Sequence, residues 1–401
     1  MGAVPDATQD HMPTVMVWGT YDTGKPRVRI MLAALRRAYA SLREVHVAVW
    51  DGVEDKSQER GLRRRLALAW RWLRSYPGLL YRFVRSPRPD VVVVGYLGTI
   101  DVLVLWPWAR LKGVPIVWDA FLSLHDTVVH DRRMVGSCHP AALALYALEW
   151  LACRAADCVV LDTDAHAALF ERSFGLPRSR LASVMVGVED DAFTRPAAAA
   201  SSTRGDADPP TVLFYGQFIP LHGVETIVEA ATLLRDAHVR WVLVGTGQEA
   251  ASVDERLRAR GLANVERHAW VRYGDLATWI AHADVCLGIF GTSGKAARVI
   301  PNKVFQVLAA GRPLVTRDSP AMRELVGDDR EGVALIPAGD ALALADAVLA
   351  MLQRRFPRDL HADLMASISA EAVGARWVEL VRAAGTRRDR GALSEAPPDG
   401  A

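Results

Sequence analysis

Cysteine is scarce in this chain: 401 residues hold four. Cys138, Cys153, Cys158 and Cys286 form no C-x-x-C pair, which excludes a zinc knuckle and a disulfide framework and points to a reduced, cytoplasmic protein. Charge of one sign is also lacking. Against 46 acidic residues stand 48 basic ones, a net charge of +2, so the chain is not expected to bind nucleic acid, which calls for a strongly basic domain. The start, MGAVPDATQDHMP, has neither a basic stretch nor an apolar core and does not read as a secretory signal. No apolar run is built to span a bilayer. The most tempting, VVVVGYLGTIDVLVLWPWA at 91–109, is broken by Gly95, Gly98, Asp101 and Pro107 into strand, turn and short helix.

What the chain does contain is ordinary for a globular protein, with 51% apolar and 23% charged residues. The length suits two domains, each with its own core. Strands are predicted at 14–18, 45–50, 90–95, 114–118, 157–161 and 181–186, with helices at 26–40, 57–85, 99–112, 140–155 and 164–174 between them. The stretch 194–210, TRPAAAASSTRGDADPP, loses all periodicity and reads as a linker. The alternation then restarts, with strands at 212–216, 239–245, 264–268, 284–290, 313–316 and 332–337. Strands separated by helices specify an α/β fold whose parallel sheets are covered on both faces. The expectation is two Rossmann-like, doubly wound domains, 1–193 and 211–365, facing a cleft. A helix at 366–385, able to cross back to the first domain, and a disordered tail at 386–401 complete the chain.

Two loops have the composition of phosphate sites. GTYDTGKPR, 19–27, follows an apolar strand, and Gly19-x4-Gly24-Lys25 is one residue short of a P-loop. The hydroxyl residue that would hold Mg²⁺ is replaced by Pro26, which suits a first helical turn and cannot ligate a metal. The turn therefore reads as a glycine turn feeding a helix, with Lys25 and Arg27 either on a phosphate or merely solvated. The stronger signal is GIFGTSGKAARVIPNKVFQVLAAGRPLV, 288–315, in which a Gly/Ser-rich loop leads to a helix starting at Pro301-Asn302. Lys295, Arg298 and Lys303 around that helix start suit a diphosphate, the alternative being a solvated basic loop.

The second half of the chain resembles the family-four retaining glycosyltransferases of GT-B fold, through VLFYGQFIPLHGVETIVEAA, VLVGTGQE, HADVCLGIF, IPNKVFQVLAAGRPLVTRDSPAMRELV and VGVEDDAF. The first half supports this more weakly. The resemblance implies a nucleotide-diphosphate sugar held by the second domain, an acceptor held by the first, and transfer with retention of anomeric configuration. It implies no metal and no cofactor beyond the sugar donor. The family's Gly-Arg-x4-Lys-Gly turn falls on Gly216-Gln217-x4-His222-Gly223, so both cations are lost or softened. The family's glutamate pair falls on Arg298 and Gln306; Gln306 retains an amide for ribose hydroxyls, and Arg298 is expected to restore the charge missing at Gln217 and His222. Gly19 and Lys25 become donor-facing from the first domain, and the loop with Val271 and Arg272 becomes the nucleoside contact. A histidine that relatives often carry after the fourth strand falls on Phe121, which leaves Asp119 and His125 as the expected catalytic, acceptor-side polar groups. His125, His130, Cys138 and His139 share no helix face, so no metal site is expected there.

The stretch 59–89 interleaves arginines with Trp70, Trp72, Tyr81 and Phe83. It reads either as a helix with a solvated arginine face or as a peripheral contact with the inner face of an anionic membrane. The second reading implies a lipid-linked or cell-envelope glycan acceptor. A GT-B epimerase, a phosphorylase or a non-catalytic nucleotide-sugar binder would share most of these signals.

Overall fold

The computed structural model describes residues 12–50, 62–189, 193, 208–357 and 359–394. Most of the expected linker, 194–207, and the start of the basic stretch, 59–61, lie outside the described residues, as do 395–401. Two six-stranded parallel sheets are present. The first contains β1 (Val15–Gly19), β2 (Arg43–His46), β3 (Val91–Val94), β4 (Ile116–Phe121), β5 (Cys158–Leu161) and β6 (Leu181–Ser183), in the order β2-β1-β3-β4-β5-β6. Around it lie α1 (Pro26–Ala38), α2 (Leu62–Arg85), α3 (Thr99–Lys112), α4 (Pro140–Ala155) and α5 (Asp164–Phe174).

The second sheet is built from β7 (Thr211–Tyr215), β8 (Arg240–Val244), β9 (Val265–His268), β10 (Val285–Leu287), β11 (Leu314–Arg317) and β12 (Val333–Ile336), in the order β12-β11-β10-β7-β8-β9. Its helices are α6 (Val224–Leu233), α7 (Ala250–Arg260), α8 (Leu276–His282), α9 (Gly294–Arg298), α10 (Asn302–Ala309), α11 (Pro320–Val326) and α12 (Ala341–Leu352). The chain ends in α13 (Met365–Ile368) and α14 (Ala370–Ser394).

Apolar residues run continuously through these strands because both faces are covered. In β3, Val92 and Val94 join one core with Trp18 and Trp118, while Val91 and Val93 join another with Met31 and Trp377. In β7 the same two-residue period sends Leu213 and Tyr215 to one face and Val212 and Phe214 to the other.

Two strands are displaced from their predicted places. β2 stops at His46, because its ladder partner β1 ends at Gly19, which then accepts a hydrogen bond from the Val47 amide. β4 runs on to Phe121, with a register shift between Asp119 and Phe121.

α14 packs on α1 of the first domain. Trp377 is buried in the first-domain core, the Tyr39 hydroxyl donates to the Val378 carbonyl at 3.2 Å, and a Cβ at Gly374 would meet Ala34 at 2.6 Å. The helix continues to Ser394, so the expected start of a disordered tail at 386 is corrected. Within it, a Cβ at Gly385 would meet Pro13 at 3.0 Å. Among the described residues no helix is long and apolar enough to cross a membrane.

Candidate active site

The second-domain side of the cleft is built where β7 ends and α10 begins. Gly216, after β7, has φ +139°, and a Cβ there would lie 3.0 Å from Lys303 Nζ and 3.1 Å from His222 Cε1. Glycine lets the turn close over a lysine. Lys303, in the first turn of α10, is buried, its ammonium 3.8 Å from the Phe214 ring centre, and Nζ has no hydrogen-bond partner among the described residues. Burial holds this amine well below the usual lysine range. A buried amine without a counter-ion, at the carboxyl end of a central strand, is built to receive an anion.

His222 is buried beside it. Its Nδ1 contacts the Gln217 carbonyl, and because a carbonyl only accepts, Nδ1 carries the proton. Burial and the Lys303 charge push the imidazole well below its ordinary value, so the ring is neutral. As a result His222 brings no positive charge to an anion.

Gln306, one turn further along α10, accepts from the Tyr215 hydroxyl at 2.9 Å and donates to the Tyr273 hydroxyl at 3.3 Å. Tyr273 in turn donates to Glu189 at 3.4 Å, and Glu189 holds Arg29 of α1 through two contacts of 2.7 Å. Val271 packs at the edge of the second-domain core, whereas the Arg272 side chain is exposed and pairs with Asp275 at 2.8 Å.

The first-domain side starts at Phe121, which ends β4 with φ +63°, a conformation uncommon for a non-glycine residue, and packs edge-on against Tyr96 at 4.9 Å. The chain then makes a π-helical turn, Asp126–Asp131. The buried Glu149 anchors its approach, accepting from Ser123 Oγ and from the Leu124 and His125 amides at 2.7, 2.8 and 3.2 Å. Burial raises this carboxyl to about 6.

This π-turn crosses the cleft and meets two of the expected donor ligands. Arg298 Nη2 donates to Asp126 at 2.7 Å, while Lys295 donates to Thr127 Oγ1 at 3.0 Å and lies 3.5 Å from Asp131. Ser293 Oγ donates to Asp131 at 3.1 Å. Two of the cations expected on the diphosphate, Lys295 and Arg298, are thus paired with carboxylates of the first domain. A second link between the domains forms where Glu324 accepts the Asp164 and Ala165 amides, at 2.8 and 2.7 Å, at the start of α5.

The first-domain predictions are also re-placed. Asp119 is fully buried and paired with Arg27 at 2.8 Å, and Arg27 also reaches the Val184 and Leu161 carbonyls. Neither residue faces the cleft, because β4 directs Asp119 inward and α1 brings Arg27 over it. Burial raises the Asp119 carboxyl and Arg27 opposes that rise. At Gly19 a Cβ would meet Asp101 Oδ2 at 2.3 Å, so a buried carboxylate that accepts the Thr20 amide at 2.6 Å requires this glycine. Lys25 is half-buried ahead of Pro26, and the His125 ring packs on His130 and Tyr146 within the first domain.

Sequence reasoning missed Asp126, Asp131, Arg132, Glu189 and Tyr273. The run HDRRM, 130–134, is the local sign of Asp131 and Arg132. Among the described residues no group of three or more His, Cys, Asp or Glu side chains could hold a metal ion.

Two family profiles match the chain: "Glycosyl transferase 4-like domain" over residues 25–187 and "Glycosyl transferases group 1" over residues 209–354. The chain belongs to the group 1 glycosyltransferases. This glycosyltransferase is 31% identical over 170 residues to a phosphatidyl-myo-inositol mannosyltransferase of Mycobacterium leprae, covering 41% of each chain. It is 28% identical over 256 residues to a D-inositol 3-phosphate glycosyltransferase of Xylanimonas cellulosilytica, covering 55% of this chain and 58% of that one. The matched regions thus span less than two thirds of those relatives. In structure, Anabaena HepE in complex with UDP superposes with a TM-score of 0.61 at 14% identity, covering 96% of this chain and 100% of that one. Sucrose-phosphate synthase of Thermosynechococcus elongatus gives 0.63 at 16% identity, covering 95% and 98%. These likenesses establish the fold, two Rossmann-like domains in the GT-B arrangement.

Proposed function

We propose that this glycosyltransferase moves a hexose from a nucleoside-diphosphate sugar, held by the second domain, to an acceptor held by the first, with retention of anomeric configuration. The observation that carries the reading is Lys303, a buried amine without a partner under the bare backbone of Gly216. A diphosphate supplies the charge that the amine lacks, and the Gln306 amide one turn away suits ribose hydroxyls. Binding of UDP by HepE, a protein of the same fold, supports a nucleotide donor. In this proposal the donor is held without a metal, Lys303 providing the positive charge.

The acceptor in this reading is a lipid-linked or cell-envelope glycan. Trp70, Leu73 and Tyr81 of α2 and Trp106 and Trp108 of α3 are exposed, and α2 also carries arginines in its described part. Aromatic rings beside arginines fit an anionic membrane surface, which supports a peripheral site at the cytoplasmic face in this reading. The phospholipid in the name of the Mycobacterium leprae relative agrees with this class.

The Asp126–Arg298 pair favours one second reading. Closed by an ion pair, the cleft would bind a nucleotide sugar without turning it over. Release of nucleotide from UDP- and GDP-sugars, followed with and without a membrane lipid extract and with and without EDTA, separates the two. Release that requires the extract and survives EDTA supports transfer, and NMR of the product then reports its anomeric configuration. Tight donor binding without release supports the second reading, and no donor binding at all defeats both.

A further inference from the structure

We infer that Arg132 is a diphosphate ligand delivered to the donor from the first domain, across the cleft. The inference rests on the donor reading above and names a residue that the second-domain turn lacks.

Arg132 is held in place by its backbone. It closes the π-turn, its amide donating to the Thr127 carbonyl at 2.9 Å, and Arg133 immediately after it adopts φ +49° and redirects the chain. π-turns are rare and are found frequently at functional sites. From there Arg132 Nη2 reaches Gln217 Oε1 at 3.4 Å, on the residue that follows Gly216. Its charge is felt within the pocket: it lowers both His222 and Lys295 and opposes the rise of Glu249.

The two carboxylates of the π-turn are taken, and Glu249, which the Arg132 charge reaches, forms no ion pair with it. Asp126 holds Arg298, and Asp131 is shared between Lys295 and Ser293. Among the described residues Arg132 makes no ion pair, and the one hydrogen bond from its guanidinium goes to a neutral amide. A planar fork half out of water, whose charge reaches the same neutral histidine that Lys303 acts on, suits the two oxygens of a diphosphate far better than an amide. Binding would exchange the long contact to Gln217 for charge-assisted ones. The donor would then be held by Lys303 from one domain and Arg132 from the other.

The test is calorimetric titration of the full chain and of Arg132→Ala and Arg132→Lys with UDP, GDP and ADP, each beside its monophosphate. The wild type should prefer at least one diphosphate over its monophosphate. Arg132→Ala should lose roughly ten- to a hundredfold in affinity for that diphosphate and little for the monophosphate. Arg132→Lys, which keeps the charge without the fork, should fall between. A full diphosphate preference in Arg132→Ala overturns the inference and leaves the donor reading standing, and so does an equal loss for both ligands. If the wild type prefers no diphosphate over its monophosphate, the donor reading itself fails, and the inference with it.

Discussion

The guanidinium of Arg298 and the carboxylate of Asp126 lie 2.7 Å apart, joining the second domain to the first. Their side chains are only 17% and 9% exposed. Together with Lys295 and Asp131, they turn a loop that looks like an anion cradle into a clasp between domains.

Breaking that clasp should cost stability. Arg298→Ala leaves Asp126 partly buried without its counter-ion, an effect of about 3 kcal/mol. Urea unfolding should show it, and Arg298→Gln combined with Asp126→Asn should lose less than the sum of the two single changes.

The Arg27–Asp119 pair should behave as structure, not as catalyst. Arg27→Ala strands a fully buried carboxylate and should destabilise by about 3–5 kcal/mol, whereas Asp119→Asn should be milder. Asp119→Asn protein that remains folded should bind donor as the wild type does; a loss of turnover with unchanged stability would return Asp119 to the site.

Glu149 should impose a pH dependence. Its carboxyl is raised from 4.5 to about 6, so between those values the folded state binds more protons than the unfolded state. Its contribution is therefore most favourable below pH 4.5 and is lost as pH rises to about 6, by roughly 2 kcal/mol. Glu149→Gln should remove that slope from a series of unfolding curves measured across this range.

Diphosphate binding should take up a proton. Burial holds the Lys303 amine well below the usual lysine range, and an adjoining anion opposes that fall. Affinity should fall as pH rises, and calorimetry in buffers of different ionisation enthalpy should record the uptake. Lys303→Met should abolish both effects.

If α2 meets a membrane, the protein should sediment with phosphatidylglycerol vesicles and not with phosphatidylcholine vesicles, and high salt should release it. Replacing Trp70 and Tyr81 by alanine should weaken that sedimentation without shifting the unfolding midpoint, since both rings are exposed.

Short-range information carried the sequence a long way. The apolar runs of β1, β3, β7 and β10, the helical periods between them and the start of α10 at Asn302 are local patterns, so both sheets and the cleft are legible in the sequence. The state of each cation is not. Arg27, Lys295, Arg298 and Lys303 look alike on paper, each a positive side chain at a helix start or in a loop. Their partners decide what they do, and those lie far off in the chain: Asp119 is 92 residues from Arg27, and Asp126 is 172 from Arg298. Only when β4 and the π-turn are laid against α1 and α9 does burial set which charge must be paired. By itself the sequence determined two parallel sheets facing a cleft. The tertiary structure decided which of the cations at that cleft is left without a counter-ion, because pairing and desolvation depend on neighbours that folding alone brings together.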